Sequence, residues 1–253
     1  MRVWDVSPGY LTRQSLLGEH RELHGLHNIV SLGRSGYARH PETLRWVDAL
    51  SGLAWRHRHL SAEMRLRGYV DRTPLALPRG RVVWPEIFID APADQFERLR
   101  GKYAGHTAGR IPLPRSAQEL WAHHKYSVLA RDPGAYRQFG RIVSRLRRGA
   151  PWSELAEALA VMLRQAPARG TLVNAVDHMW GHVNRIARRD DQIAARRSLA
   201  ARLAVTQALA VRAREPFLMS STALAELSAY VGVSRRDRRR ASGEREASRG
   251  SRG

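Results

Sequence analysis

The chain has 253 residues, room for one large or two small domains, and carries 43 Lys and Arg against 23 Asp and Glu, a formal charge of +20, with no cysteine. The missing cysteine excludes disulfides, thiolate metal sites and cysteine nucleophiles, and no apolar run reaches the roughly 18 residues of a membrane span. The basic excess is spread, 18 basic to 11 acidic residues over 1–115 and 17 to 9 over 116–234, which points to a polyanionic partner, nucleic acid foremost, with an arginine-rich composition bias as the bland alternative.

In chain order, Met1-Arg-Val-Trp leads into a helix near 14–31. Ser15 is its expected cap, and Leu16, Leu23, Leu26, Ile29 and Val30 fall on one side. Glu19 lies in the middle of this apolar arc, Glu22 lies between Leu26 and Ile29, and Arg21 points the other way. A carboxylate facing a core needs a cation or donors to meet it. Either arginines pair with both acids, or one acid faces the amine that leads the chain and serves in proton transfer. His20, His24 and His27 share this helix, as ordinary half-buried histidines or, for His24, as a contact to DNA. Residues 31–41 read as a loop, and a long helix follows over 42–68, bent at Gly52.

From 70 to 115 prolines are frequent, with one short helix around Asp94–Tyr103 and an extended but sheet-free Val82-Val-Trp84. Residues 109–114 read as a linker closing a first domain, 1–115. Helices recur near 116–131, 134–148, 152–165, 171–188, 191–213 and 221–231, with Pro133, Pro151, Pro167 and Pro216 at their boundaries, which makes a second helical domain of 116–233. Residues 234–253 lack an apolar period and read as a disordered basic tail, whose Arg235–Arg240 run would add non-specific backbone affinity. The fold class expected is therefore all-α, two helical domains with an irregular Pro-rich connection. The leading residues lack a positive-then-apolar signal pattern, which predicts a cytoplasmic, nucleoid-associated protein.

Amine chemistry has few suspects. An α-amine titrates near 7.7–8.0 and a lysine near 10.4, so at pH 7 roughly 10–20% of the former is neutral against about 0.04% of the latter. Neutral amines attack carbonyl-like carbons to form Schiff bases. Lys102 and Lys125 are the only lysines, and Met1 adds the third amine. His178 and His182 are spaced as ligands on one helix face, yet no third ligand is recognisable and Met179 and Trp180 suggest packing. No Gly-rich phosphate loop and no Gly-x-Ser-x-Gly occurs.

The run Gln14-x-Leu16-x-x-Glu19-x-Arg21-Glu22-Leu23 resembles the active-site helix of the phage-type pyrimidine-dimer DNA glycosylases, also called endonuclease V. In that family the amine of the mature first residue is the nucleophile, followed by Arg and an aliphatic residue, as in Met1-Arg2-Val3. The interval from there to the catalytic acid singles out Glu22 over Glu19. The family removes its initiator before a small residue; here Arg2 is too large, so Met1 is expected to keep the amine. Arg67-Gly-Tyr69 and Tyr37-Ala-Arg-His-Pro41 match more loosely. The resemblance spans about 1–115. It implies a glycosylase with an associated lyase on damaged double-stranded DNA, using no metal and no organic cofactor. Met1 and Glu22 would be catalytic. Arg2 and Arg21 would hold flanking phosphates, and Gln14, His24, Arg39 and His40 would join them on DNA.

Further on, Leu120-Trp-Ala-His-His-Lys-Tyr-Ser-Val-Leu-Ala-Arg-Asp-Pro133 and the stretch from Asn174 to His182 resemble the YbgA-like domain, which implies no secure reaction. Trp121, Lys125 and Tyr126 could stack on nucleic acid or pack as core. Two other functions stay open beside the repair enzyme. One is a non-catalytic, basic, helical nucleic-acid-binding protein. The other applies the same chemistry to abasic sites or modified bases in DNA or RNA.

Overall fold

A computed structural model describes residues 2–77, 80–147 and 149–231. Met1 and the expected tail at 234–253 lie outside the described residues. Among those described the fold is all-α, without a strand, and no helix is long and apolar enough to cross a membrane.

The chain opens with a segment leading to a 3-10 turn at Pro8–Tyr10 and then α1, Arg13–Leu32. Thr12 is the cap of α1, not Ser15: its hydroxyl accepts the Ser15 N–H at 3.3 Å, meeting one of the four unpaired donors of the first turn. Gly33, with φ +61°, ends the helix in the left-handed conformation.

The expected single helix over 42–68 is two, α2 at Pro41–Trp46 and α3 at Leu50–Leu66. The break lies at 47–49, ahead of Gly52, and it seats Trp46 in the core. α3 has no side-chain cap of its own. The backbone of the Val82–Trp84 segment substitutes: Gly52 N–H donates to Val83 O at 3.0 Å, and Ser51 Oγ accepts Val83 N–H at 2.7 Å. This close approach requires Gly52 to lack a side chain, since a Cβ there would stand 2.5 Å from Val83 O. Gly52→Ala is therefore expected to cost about 1–3 kcal/mol in urea denaturation, despite alanine's better helix propensity.

The later helices are α4 (Pro92–Lys102), α5 (Ala117–Leu129), α6 (Pro133–Arg145), α7 (Ser153–Leu163), α8 (Arg169–Val183), α9 (Arg189–Arg196), α10 (Leu199–Ala213) and the one-turn α11 (Pro216–Met219), α12 (Ala223–Glu226) and α13 (Ser228–Val231). The expected helices over 191–213 and 221–231 are each broken. In the first, Ser198 caps a new start through the Ala201 N–H. The expected 171–188 helix ends at Val183 and passes into a 3-10 turn.

Two apolar clusters hold these helices. The first joins Val3, Trp4, Tyr10 and Leu11 to α1, α3 and α4, and takes in Leu120 of α5 and Leu155 and Leu159 of α7. It therefore passes through the 115/116 position. The second gathers Tyr126 and Leu129 of α5 with α8, α10 and α12. α5 belongs to both. Trp121 packs on Tyr136 and Phe139, and Lys125 Nζ sits 4.9 Å from the Tyr126 ring centre, so these rings serve packing within the fold. His182 Nε2 lies 2.6 Å from Tyr126 Oη, and His178 stacks on the same ring.

Candidate active site

The segment before the 3-10 turn is held amide by amide. Arg2 N–H donates to Glu22 Oε2, Trp4 N–H to Glu19 Oε1 at 3.3 Å, and Asp5 N–H to Gln95 Oε1 at 2.7 Å, while the Val3 amide favours the charged form of the Glu42 carboxylate. These acceptors come from α1, α2 and α4. The order of contacts, 2 with 22 and 4 with 19, sets the segment antiparallel to α1. Buried amides need acceptors, and no sheet is there to supply them. Val3 and Trp4 are buried beneath this clamp.

The two acids of α1 have separate jobs. Glu19 is buried and bidentate with Arg56 of α3, Nε to Oε1 at 2.7 Å and Nη2 to Oε2 at 2.9 Å. Arg56 also donates from Nη1 to Val6 O at 2.8 Å, so the pair ties α1, α3 and the leading segment together. Burial raises the Glu19 pKa, against the attraction of Arg56. Glu22 is half-buried at the edge of the same face. Asp5, Glu19, Glu42 and Asp90 each have an arginine partner, whereas among the described residues Glu22 has none.

Around this point lies a belt of ion pairs that spacing did not reveal. Arg45 binds Asp5 and donates to Glu42 Oε1 at 3.1 Å, and Trp46 Nε1 donates to the same oxygen at 3.0 Å. Burial raises the Glu42 pKa, with Arg45, Trp46 and Val3 opposing. Asp90 is partly buried, which would raise its pKa, but the hydrogen bond and charge of Arg2 and then Arg98 hold it below the usual carboxylate value. Arg164, at the end of α7, reaches Asp5 at 3.1 Å and lies over the Phe88 ring, its centre 4.5 Å away. A cation from the second half of the chain thus completes the surroundings of the leading segment. Glu42 carried one sequence signal, an acid directly after a proline at a helix start. Asp90, Gln95, Arg56 and Arg164 had none, because each meets its partner across the fold.

The structure brings together Arg2 and Glu22 of the predicted set. Arg2 is itself engaged: its guanidinium pairs with Asp90 and lies 4.9 Å from the Trp4 ring centre. Gln14 and Arg21, seven residues apart, share the exposed face of α1. His24 turns away from Glu22 toward α3, with Nε2 3.1 Å from His57 Nε2. Arg39 is exposed in the loop after α1, and His40 Nδ1 accepts the Glu42 N–H as the cap of α2. Met1 lies outside the described residues.

Among the described residues, the site is thus a leading segment, Arg2 to Asp5, held by side chains of three helices, with Glu22 the acid of that set that has no arginine partner. Residues 1–77 match the family model of pyrimidine dimer DNA glycosylase. Residues 125–201 match that of a protein of unknown function, DUF1722. No curated protein and no solved structure matches the chain.

Proposed function

We propose that the protein is a DNA-repair glycosylase with an associated AP lyase, acting on pyrimidine dimers or related lesions in double-stranded DNA. The observation that carries this reading is Glu22: the Arg2 amide bonds it, and no described arginine neutralises it. The glycosylase match over residues 1–77 supports the same reading. The Met1 α-amine attacks C1′ of the damaged nucleotide and the glycosidic bond breaks. An imine follows as the sugar ring opens. Glu22 stabilises its positive charge and moves protons while β-elimination breaks the strand on the 3′ side. Arg2 and Arg21 hold flanking phosphates, with Gln14, Arg39 and His40 as further contacts to DNA; His24, expected among them, faces His57 on α3 and leaves the set. A damaged step is already poorly stacked, so extruding or kinking it costs less than on intact DNA.

The test is borohydride trapping on dimer-containing duplex, using protein with a native, untagged start. A covalent adduct should form, and peptide mapping should place it on the first residue. Acetylating that amine should abolish it. An adduct on Lys102 or Lys125 would overturn the Met1 assignment. Salt-sensitive DNA binding with no adduct and no nick would establish the non-catalytic binding protein instead.

A further inference from the structure

Three histidines and an aspartate meet on the side of α1 turned away from Glu22. His20 and His24 stand one turn apart on α1, His57 comes from α3, and Asp71 from the segment after α3. The three imidazole centroids form a nearly equilateral triangle with sides of 4.9, 4.7 and 4.8 Å. Their Nε2 atoms converge. His57 Nε2 is 3.1 Å from His24 Nε2, His20 Nε2 is 3.3 Å from Asp71 Oδ1, and His57 Nε2 is 3.7 Å from Asp71 Oδ2. One donor atom from each of the four lies within 4.8 Å of all the others. A tetrahedral zinc ion with bonds of about 2.0–2.1 Å spaces its ligand atoms roughly 3.3–3.4 Å apart.

Hydrogen bonding accounts for only part of this arrangement, since His24 Nε2 meets both His57 Nε2 at 3.1 Å and Thr73 Oγ1 at 3.2 Å. A neutral imidazole has one N–H, and three Nε2 atoms share one small space. His20 Nε2 is enclosed yet has no hydrogen-bond partner. A cation at the centre turns every converging lone pair into a bond. The carboxylate is also held for the purpose: Ser61 Oγ donates to Asp71 Oδ2 at 2.7 Å and Thr73 N–H to Oδ1 at 3.0 Å, the outer-shell support that orients metal ligands. His57 and Asp71 are 2% and 11% exposed, while Thr73 Oγ1 beside His24 marks the open side.

We propose that His20, His24, His57 and Asp71 bind one divalent first-row transition metal ion, zinc foremost. Three imidazoles and one carboxylate suit such an ion better than magnesium or calcium. Four protein donors fill a tetrahedral shell, which marks a structural site. The ion pins α1 to α3 and to the segment beyond it. The sequence led to the expectation of no metal among the site residues or partners; this site departs from that expectation and lies apart from Glu22. His178 and His182, the pair singled out by spacing, lie elsewhere, because spacing along one helix cannot show ligands gathered from three segments.

The test uses full-length protein stripped with chelator and titrated with Zn2+ by calorimetry and with Co2+ by visible absorption. One equivalent should bind, Co2+ should show the intense bands of a tetrahedral site, and Zn2+ at 100 times its Kd should raise Tm by about 5–10 °C. His20→Ala and Asp71→Asn should lose the Co2+ bands and the Tm response, and His178→Ala should keep both. Should the first two fail to fold, His24→Gln at the open side should fold and bind at least about tenfold more weakly. Absence of stoichiometric binding, or equal binding by all these variants, would overturn the site. Neither result depends on whether the protein nicks DNA.

Discussion

Glu22→Gln is expected to slow nicking of dimer-containing duplex by about 10²–10⁴-fold, the range associated with loss of a positioned acid–base group. Glutamine keeps a side-chain oxygen that can accept the Arg2 N–H, so the leading segment stays where Glu22 holds it. What it loses is the negative charge beside a cationic imine and the ability to exchange a proton. Borohydride trapping should fall with nicking, while binding to undamaged duplex stays the same. Glu22 is half-buried and lacks an arginine partner among the described residues, so the change strands no buried cation, and thermal unfolding should move little. A Glu22→Gln protein that nicks at the wild-type rate would remove the acid from the mechanism and with it the main support for the glycosylase reading.

Arg56→Met is expected to have the largest effect on stability, about 3–5 kcal/mol near neutral pH. The methionine refills much of the volume but leaves Glu19 buried without its bidentate partner and Val6 O without its donor. The loss should depend on pH. Burial already places the folded Glu19 pKa above its ordinary value while Arg56 opposes, and removing Arg56 pushes it higher. A carboxyl whose folded pKa is raised binds its proton more tightly in the native state, so stability is full below the unfolded value and falls as pH rises through the folded one. The variant should therefore lie closest to wild type at acid pH and fall furthest behind at pH 7–8, in urea melts across that range. A pH-independent deficit would mean that lost packing, not a stranded carboxylate, dominates.

The candidate site was half legible. A helix places side chains by a fixed 100° step, so the apolar stripe of α1 put both Glu19 and Glu22 on its apolar side before any fold was known; that Glu19 is buried and Glu22 only half-buried was decided by packing. The helix period could not say which acid meets an arginine, because Arg56 lies on another helix and its choice of Glu19 is a matter of packing. The caps show a similar division. Thr12 wins over Ser15 because the chain turns before Arg13, where Leu11 is fully buried against the core. The break at 47–49 follows from burying Trp46, and Gly52 answers to the Val82–Trp84 segment, a contact with no local trace.

Composition and periodicity determined the helical class, the basic character and the acids of the first helix, since each depends on neighbours within a few turns or on the whole chain at once. Which carboxylate each arginine takes, the clamping of residues 2–5 by three helices, and the meeting of His20, His24, His57 and Asp71 were decided by the tertiary structure alone. Charges and metal ligands act through distances of a few ångströms, and only packing sets those distances for residues far apart in the chain.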